Sequence, residues 1–324
     1  MPPATLGCRL FADRLKTHRV GCLVLAGTDF PDHVKKQLSS WQMTLQLKIS
    51  QTEPSTRGLL EYEDDTFGRM HIFVCQWYDA YACKAKKFRY ITTPLRTAPS
   101  DLVGSRLLHA KMFHLLGTPK EVGMQIPQII ALRRQHGNRS VPFLLWEPFP
   151  AACTTTNRQA FLDTCKLVDV FSPNHLELCA LFDDAKPEGF STERLEKYAM
   201  QFSAATGLEG KGNVIVRAGE FGSLTVGGSL DKLWLPPFYQ DGASEVVDPT
   251  GAGNTFLGGF MAGWNLTHDI KESSIYGVVA ASFAIEQIGL SKLELDGEYE
   301  LWNGVQAMDR LTQYKDRIST ALAV

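Results

Sequence analysis

Short apolar runs alternate with helical patterns of apolar and polar residues through most of the 324-residue chain. The strand-like runs cover residues 21–27, 142–148, 169–174, 212–219 and 222–228. Helical spacing follows over 31–41, 174–182, 191–207, 250–266 and 273–289, and the last helix is predicted to end at Gly289. Alternation of this kind is typical of a mainly parallel sheet with helices on both faces, so the pattern predicts an α/β fold.

Residues 44–93 break this alternation, because their apolar runs read as β-strands without intervening helices. Such a block in an α/β protein suits a small sheet outside the main one, for example a lid. Residues 70–86 within it show no clean alternation, and they are interpreted either as an insertion from an unspliced intron or as an ordinary hydrophobic hairpin. Neither a long linker nor a charge run divides the chain, so residues 1–324 are predicted to form one domain.

Composition and charge narrow the classes of function. The formal net charge is −2 and the isoelectric point is about 6.5, which provides no electrostatic footprint for nucleic acid or an acidic membrane. The seven cysteines are scattered and form no C-x-x-C pair, which is typical of a reducing compartment. No run approaches the roughly 20 apolar residues of a membrane span. We therefore expect a soluble cytoplasmic protein, a monomer or a homodimer, that binds neither nucleic acid nor a membrane.

The chemistry-bearing motif is the small-residue run that begins at Asp248. A strand-like run, residues 244–247, is predicted to end there, and a turn with Gly251, Ala252 and Gly253 then leads into a helix. Glycines allow backbone conformations that larger residues avoid, and successive N–H groups at a helix N-terminus form an anion hole suited to a phosphoryl group. The alternative is a glycine-rich helix start that only packs tightly.

This run resembles the second signature, D-T-x-G-A-G-D, of the PfkB or ribokinase-like carbohydrate kinases. Three further segments follow in the same order as in that family. Asn174 to Glu177 is similar to its N-x-x-E motif, and residues 214–222 are similar to its V-T-x-G-x-x-G turn. Residues 280–289 are similar to the helix that lies beside the adenine. Pro249 with Asn254, and residues 55–58, resemble a fungal branch of the family, the maintenance-of-killer type. The resemblance implies a three-layer α/β/α sandwich with a small β lid.

The resemblance also implies site residues. Asn254 stands where the family has the aspartate that removes a proton from the acceptor hydroxyl, and an amide cannot accept that proton at neutral pH. The implied ligand set is ATP, with Mg²⁺ and a monovalent cation such as K⁺. The implied binding residues are Asn174, Arg217, Gly219, Gly222 and Ala281 for the nucleotide, Glu177 for Mg²⁺ through a water, and Asp248 and Thr250 for the monovalent cation.

For several of these residues a purely structural role is the alternative to ligand binding. Asn174 is either a magnesium- and phosphate-orienting residue or the N-cap of the helix that follows, or both. Asp248 and Thr250 either bind a cation or close a hydrogen-bonded turn. Arg217, where the family usually has threonine, is either a phosphate ligand or a surface residue. His114 is predicted to be a core or edge histidine rather than a catalytic one.

The N-terminal part fits the family least, since the chain is expected to begin just after the strand and di-glycine stretch that bind the acceptor.

Three hypotheses about function follow from the motifs and from this mismatch. The first is an ATP-dependent kinase of a small sugar- or nucleoside-like metabolite, weakened by Asn254. The second is a pseudokinase that binds nucleotide or acts as a scaffold. The third is that a biosynthetic pathway recruited the fold for another reaction.

Overall fold

The computed structural model describes residues 2–62, 85–184, 189–228 and 230–322. The helices among them are α1 (Pro2–Leu10), α2 (Asp32–Ser40), α3 (Pro119–Gln135), α4 (Arg158–Cys165), α5 (His175–Ala180), α6 (Thr192–Ser203), α7 (Ala252–Thr267), α8 (Ile270–Ile285) and α9 (Ala307–Leu322). The strands are β1 (Gly21–Ala26), β2 (Thr44–Ile49), β3 (Gly58–Tyr62), β4 (Ala85–Tyr90), β5 (Met112–Gly117), β6 (Phe143–Pro148), β7 (Val170–Phe171), β8 (Asn213–Arg217), β9 (Ser223–Gly227), β10 (Leu230–Leu235), β11 (Leu293–Asp296) and β12 (Tyr299–Trp302). The elements group into two compact units, Met1–Thr97 with Phe238–Val324, and Ala98–Pro237.

The second unit, Ala98–Pro237, is built on a six-stranded sheet with the order β10-β9-β8-β7-β6-β5. Strands β5 to β8 pair in parallel, and β8, β9 and β10 pair antiparallel. Trp146 on β6 stacks on Phe161 of α4 with ring centroids 5.1 Å apart, and both side chains are fully buried. Apolar strands buried in this way read as continuous hydrophobic runs, which is why the sequence pattern located them.

In the first unit, close backbone contacts at glycines bring α1, α7 and α8 together. A Cβ on Gly258 of α7 would lie 1.8 Å from the Ala4 carbonyl oxygen of α1. A Cβ on Gly259 would lie 2.4 Å from Ala280 Cβ of α8. The hydrogen atoms of these glycines therefore allow both neighbouring helices to approach the α7 backbone, and this packing fixes the helix that follows the Gly251 turn.

The rest of the first unit contains small sheets. Strands β1 and β2 pair in parallel, β3 and β4 pair antiparallel, and so do β11 and β12. The predicted β block 44–93 is therefore not one sheet, since β2 pairs with β1, which lies outside the block. The proposed insertion 70–86 lies outside the described residues except for Ala85 and Lys86, which begin β4.

Two sequence expectations near the chemistry-bearing motif are wrong. Residues 244–247 form turns and bends instead of a strand, because the backbone N–H groups of Val247 and Asp248 donate to the Ile285 carbonyl (2.8 and 3.1 Å) and not to a neighbouring strand. The helix predicted to end at Gly289 ends at Ile285. No helix in the described part of the chain is long and apolar enough to cross a membrane.

Candidate active site

The turn that precedes α7 is closed by its own hydrogen bonds. Gly251 has the left-handed angles φ 84° and ψ −4° and caps the helix. The Ala252 N–H donates to the Pro249 carbonyl (3.1 Å), and both the N–H and the hydroxyl of Thr255 donate to the Gly251 carbonyl (2.9 Å each). The first N–H groups of a helix lack carbonyl partners within the helix, so this end of α7 carries the positive pole of the helix dipole.

Gly251 is required here for two reasons. Its positive φ disfavours any residue with a side chain, and a Cβ would lie 3.3 Å from Pro3 Cγ of α1. The sequence expectation of a small-residue bend at a helix N-terminus is therefore confirmed, because the helix starts after Gly251 and does not run through it.

Asp248 and Thr250 form the hydrogen-bonded turn that was one of their two interpretations. The Thr250 N–H donates to the Asp248 carboxylate at 2.9 Å. This hydrogen bond occupies one oxygen of the Asp248 carboxylate. Binding of a monovalent cation by Asp248 and Thr250 stays a prediction. Ala281, expected beside the adenine, is half-buried on α8, one turn before the Ile285 carbonyl that anchors Val247 and Asp248.

Asn254 lies in the first turn of α7 and is 1% exposed. Its amide carries donors and one acceptor oxygen, and it has no basic site that takes up a proton at neutral pH. The buried position at a positive helix end would suit a carboxylate, since the macrodipole stabilises negative charge there.

In the second unit, Asn174 and Glu177 form a reciprocal cap at the start of α5. The Glu177 N–H donates to Asn174 Oδ1 (2.8 Å), and the Asn174 N–H donates to Glu177 Oε2 (2.7 Å). The capping interpretation of Asn174 is therefore confirmed. Its Nδ2 is buried and has no hydrogen-bond partner, so the same side chain keeps a donor for a further acceptor.

Arg217, the last residue of β8, joins two buried carboxylates. Its Nη1 lies 2.9 Å from Glu147 Oε1, and its Nη2 lies 3.6 Å from Glu177 Oε2. Nη2 also donates to the Ser172 carbonyl at 3.0 Å. Arg217 is only 6% exposed, so its interpretation as a surface residue is wrong.

Glu147 was not among the site residues predicted from the sequence. This residue is 1% exposed near the end of β6, and its second oxygen lies 2.9 Å from His114 Nε2 on β5. His114 is half-buried, as expected for a core or edge histidine. The available signal was an acidic residue inside the otherwise apolar run 142–148, because a buried charge requires a partner.

Gly219 and Gly222 lie at the two ends of the turn between β8 and β9. Their φ angles are 61° and 88°, and the turn is closed by Gly222 N–H to the Gly219 carbonyl (3.0 Å). A Cβ on Gly222 would lie 2.0 Å from the Leu235 carbonyl oxygen, whereas nothing lies within 4 Å of a Cβ on Gly219. Gly222 is thus needed by the fold, and the backbone at Gly219 is open to a ligand.

Burial dominates the electrostatics around Arg217. It raises the pKa of the Cys153 thiol well above its usual range, and the Glu177 carboxylate raises that pKa further. Burial also lowers the pKa of His175, which favours the neutral ring.

The donor set does not fit a Mg²⁺ ion anchored on Glu177. Glu177 Oε2 already accepts the Asn174 N–H and lies 3.6 Å from Arg217 Nη2, so the guanidinium takes the place of a directly bound cation. The predicted contact of Glu177 to Mg²⁺ through a water stays a prediction. Among the residues that the structure describes, no group of three or more His, Cys, Asp or Glu side chains is arranged to hold a metal ion.

Comparisons with known proteins agree with this geometry. A model of the pfkB family of carbohydrate kinases matches residues 13–295. Protein MAK32 of Saccharomyces cerevisiae is 28% identical over 96% of this chain and 83% of its own length.

Among solved structures, an adenosine kinase from Anopheles gambiae in complex with a di(adenosine-5) tetraphosphate has a TM-score of 0.64 and 17% identity, over 88% of this chain and 79% of that one. An Escherichia coli chain provisionally called ribokinase II, solved with ATP and Mg²⁺, has a TM-score of 0.61 and 16% identity, over 98% of this chain and 88% of that one. At these identities the structural likeness shows the fold alone, and it confirms the expected ribokinase-like α/β fold. The similarity to MAK32 confirms the expected likeness to the fungal branch.

Proposed function

The chain belongs to the pfkB family of carbohydrate kinases, and from that premise we propose that it transfers a phosphoryl group from ATP to a hydroxyl of a small sugar- or nucleoside-like metabolite. The single observation that carries this proposal is the left-handed Gly251 turn at the N-terminus of α7. Phosphoryl transfer depends on positioning and on stabilising charge at the transferring group, and a helix N-terminus with oriented amides provides both.

The second unit supplies groups that suit the nucleotide phosphates. The buried Asn174 Nδ2 has no partner in the protein and is available to donate a hydrogen bond to a phosphate oxygen, and the open backbone at Gly219 allows a phosphate to approach closely. ATP is used with Mg²⁺ by kinases in general, and we propose that the metal reaches this chain bound to the nucleotide and not through Glu177. A net charge of −2 favours a small-molecule acceptor over a nucleic acid.

Asn254 limits the rate in this proposal. Loss of a general base typically costs about 100- to 10,000-fold in rate, while positioning and charge stabilisation remain. Slow turnover is therefore expected of the wild-type protein. The second candidate function is a nucleotide-binding pseudokinase, and the specific observation in its favour is the buried amide at position 254.

The test combines binding and turnover. ATP is expected to raise the melting temperature of the wild-type protein, and Asn254→Asp is expected to raise turnover on a panel of sugars and nucleosides by about 100-fold or more. Asn265→Asp is the matched control, because it makes the same charge change at an exposed position of α7 and should leave turnover unchanged.

Three outcomes separate the hypotheses. A wild-type protein that ATP does not stabilise would contradict both candidates. ATP binding together with an Asn254→Asp variant that phosphorylates nothing in the panel would favour the pseudokinase. A rise in turnover of equal size in Asn265→Asp would remove the argument that position 254 is the base position.

A further inference from the structure

The feature that the proposed function leaves unexplained is a buried charge cluster with two carboxylates and one guanidinium. Glu147, Glu177 and Arg217 are 1%, 3% and 6% exposed. They lie where β6 and β8 end and where the chain leaves β7, at the carboxyl edge of the parallel strands. In open α/β sheets this edge is where ligands bind, so the cluster occupies a place suited to a site.

Electrostatics require a cation between these carboxylates. Two buried negative charges are stable only when paired with positive charge and hydrogen bonds. The Arg217 guanidinium contacts both, through Nη1 to Glu147 at 2.9 Å and Nη2 to Glu177 at 3.6 Å. The Ser172 carbonyl holds Nη2 in place at 3.0 Å. A pair of carboxylates around one cation is also the arrangement that binds a divalent metal ion.

A neighbouring group indicates what the cluster faces. Asn174 is 5% exposed, and its Nδ2 has no hydrogen-bond partner. A backbone bridge between Asn174 and Arg217 places the two residues side by side. A buried N–H donor beside a fixed guanidinium suits an anionic oxygen, such as that of a phosphate, since the donor otherwise loses its hydrogen bond to water without compensation.

We propose that Arg217 is a built-in cation of the Glu147–Glu177 pair, occupying the place of a divalent metal ion and excluding one from these carboxylates. Asn174, whose Nδ2 has no partner, lies beside this guanidinium. The exclusion of metal from the two carboxylates stands without the proposed kinase function.

The test measures binding of Mn²⁺ alone, without nucleotide, by the loss of its free electron paramagnetic resonance signal. The wild-type protein and Arg217→Lys, which keeps the positive charge, are expected to bind Mn²⁺ only weakly. Arg217→Met removes the charge at similar length, and we expect it to bind Mn²⁺ on the order of tenfold more tightly or better. Adding Glu147→Gln to Arg217→Met should abolish the gain, which distinguishes this pair from surface carboxylates.

A folded Arg217→Met variant, checked by circular dichroism, that gains no Mn²⁺ affinity would overturn the proposal. Should that variant not fold, Glu177→Gln in the otherwise wild-type chain decides instead. This change keeps the cap on Asn174 and should leave Mn²⁺ binding as it is, whereas loss of a bound Mn²⁺ would identify Glu177 as a metal ligand and refute the inference. A separate titration with ATP, in the presence of excess chelator, measures nucleotide binding. If ATP does not bind, the proposed function is contradicted, but the Mn²⁺ result still decides the inference about Arg217.

Discussion

Replacing Gly258 with alanine tests the packing that holds the Gly251 turn. Gly258 lies in α7, downstream of the Gly251 turn, and faces the backbone of α1. The added Cβ would lie 1.8 Å from the Ala4 carbonyl oxygen and 2.8 Å from the Cys8 nitrogen. Both atoms belong to backbone, so no side-chain rotation can relieve the overlap.

The size of the effect follows from these distances. Ordinary contact begins at 3.4 Å, so α1 must move by about 1.6 Å or detach. Overpacking typically costs about 1–3 kcal/mol, and a contact with rigid backbone belongs at the upper end. Alanine recovers about 1 kcal/mol of helix propensity. We therefore expect Gly258→Ala to lower the free energy of unfolding by about 2 kcal/mol or more. Detachment would expose Leu6 and Leu10, which are now buried, at about 1.5–3 kcal/mol each.

The assay is urea denaturation followed by far-ultraviolet circular dichroism. Gly123→Ala is the matched control, because Gly123 also lies inside a helix, α3, and its added Cβ would meet only Thr164 Oγ1, at an ordinary 3.8 Å. The control should be as stable as wild type or more stable, by up to about 1 kcal/mol. If Gly258→Ala proved as stable as Gly123→Ala, the close approach of α1 and α7 would be refuted.

Two further predictions concern titration. Burial lowers the folded-state pKa of His175 below 6.5, so its stabilising contribution is complete above pH 6.5 and declines as the pH falls toward the folded pKa. Between pH 7 and 5.5, wild-type stability should therefore fall more steeply than that of His175→Gln, measured by urea denaturation, and parallel slopes would contradict the assignment. Burial also raises the pKa of four thiols, with that of Cys8 at about 12, so Cys8, Cys153, Cys165 and Cys179 should resist alkylation at pH 8 in the folded protein. Peptide mapping checks this, and modification of Cys153 at the rate of a free cysteine would show that the cluster around Arg217 is open to solvent.

The sequence predicted what depends on neighbouring residues. Apolar runs located β1, β6, β8 and β9 because buried strands are continuous in sequence. The small residues after Asp248 indicated the Gly251 turn, since a left-handed residue at a helix start has few side-chain options. Asn174 with Glu177 predicted a helix N-terminus, because a capping box closes within four residues.

Only the tertiary structure decided which distant groups meet. Glu147 and Arg217 are 70 positions apart in the sequence, and no periodicity relates them; the parallel register of β6, β7 and β8 brings them to one edge. Periodicity also could not show that the Ile285 carbonyl accepts from Val247 and Asp248, so a bend was predicted as a strand. Local conformation follows from short-range sterics and hydrogen bonds that the sequence displays directly. The charge balance of a buried site depends instead on pairings between elements far apart in the chain, and these exist only once the sheet has formed.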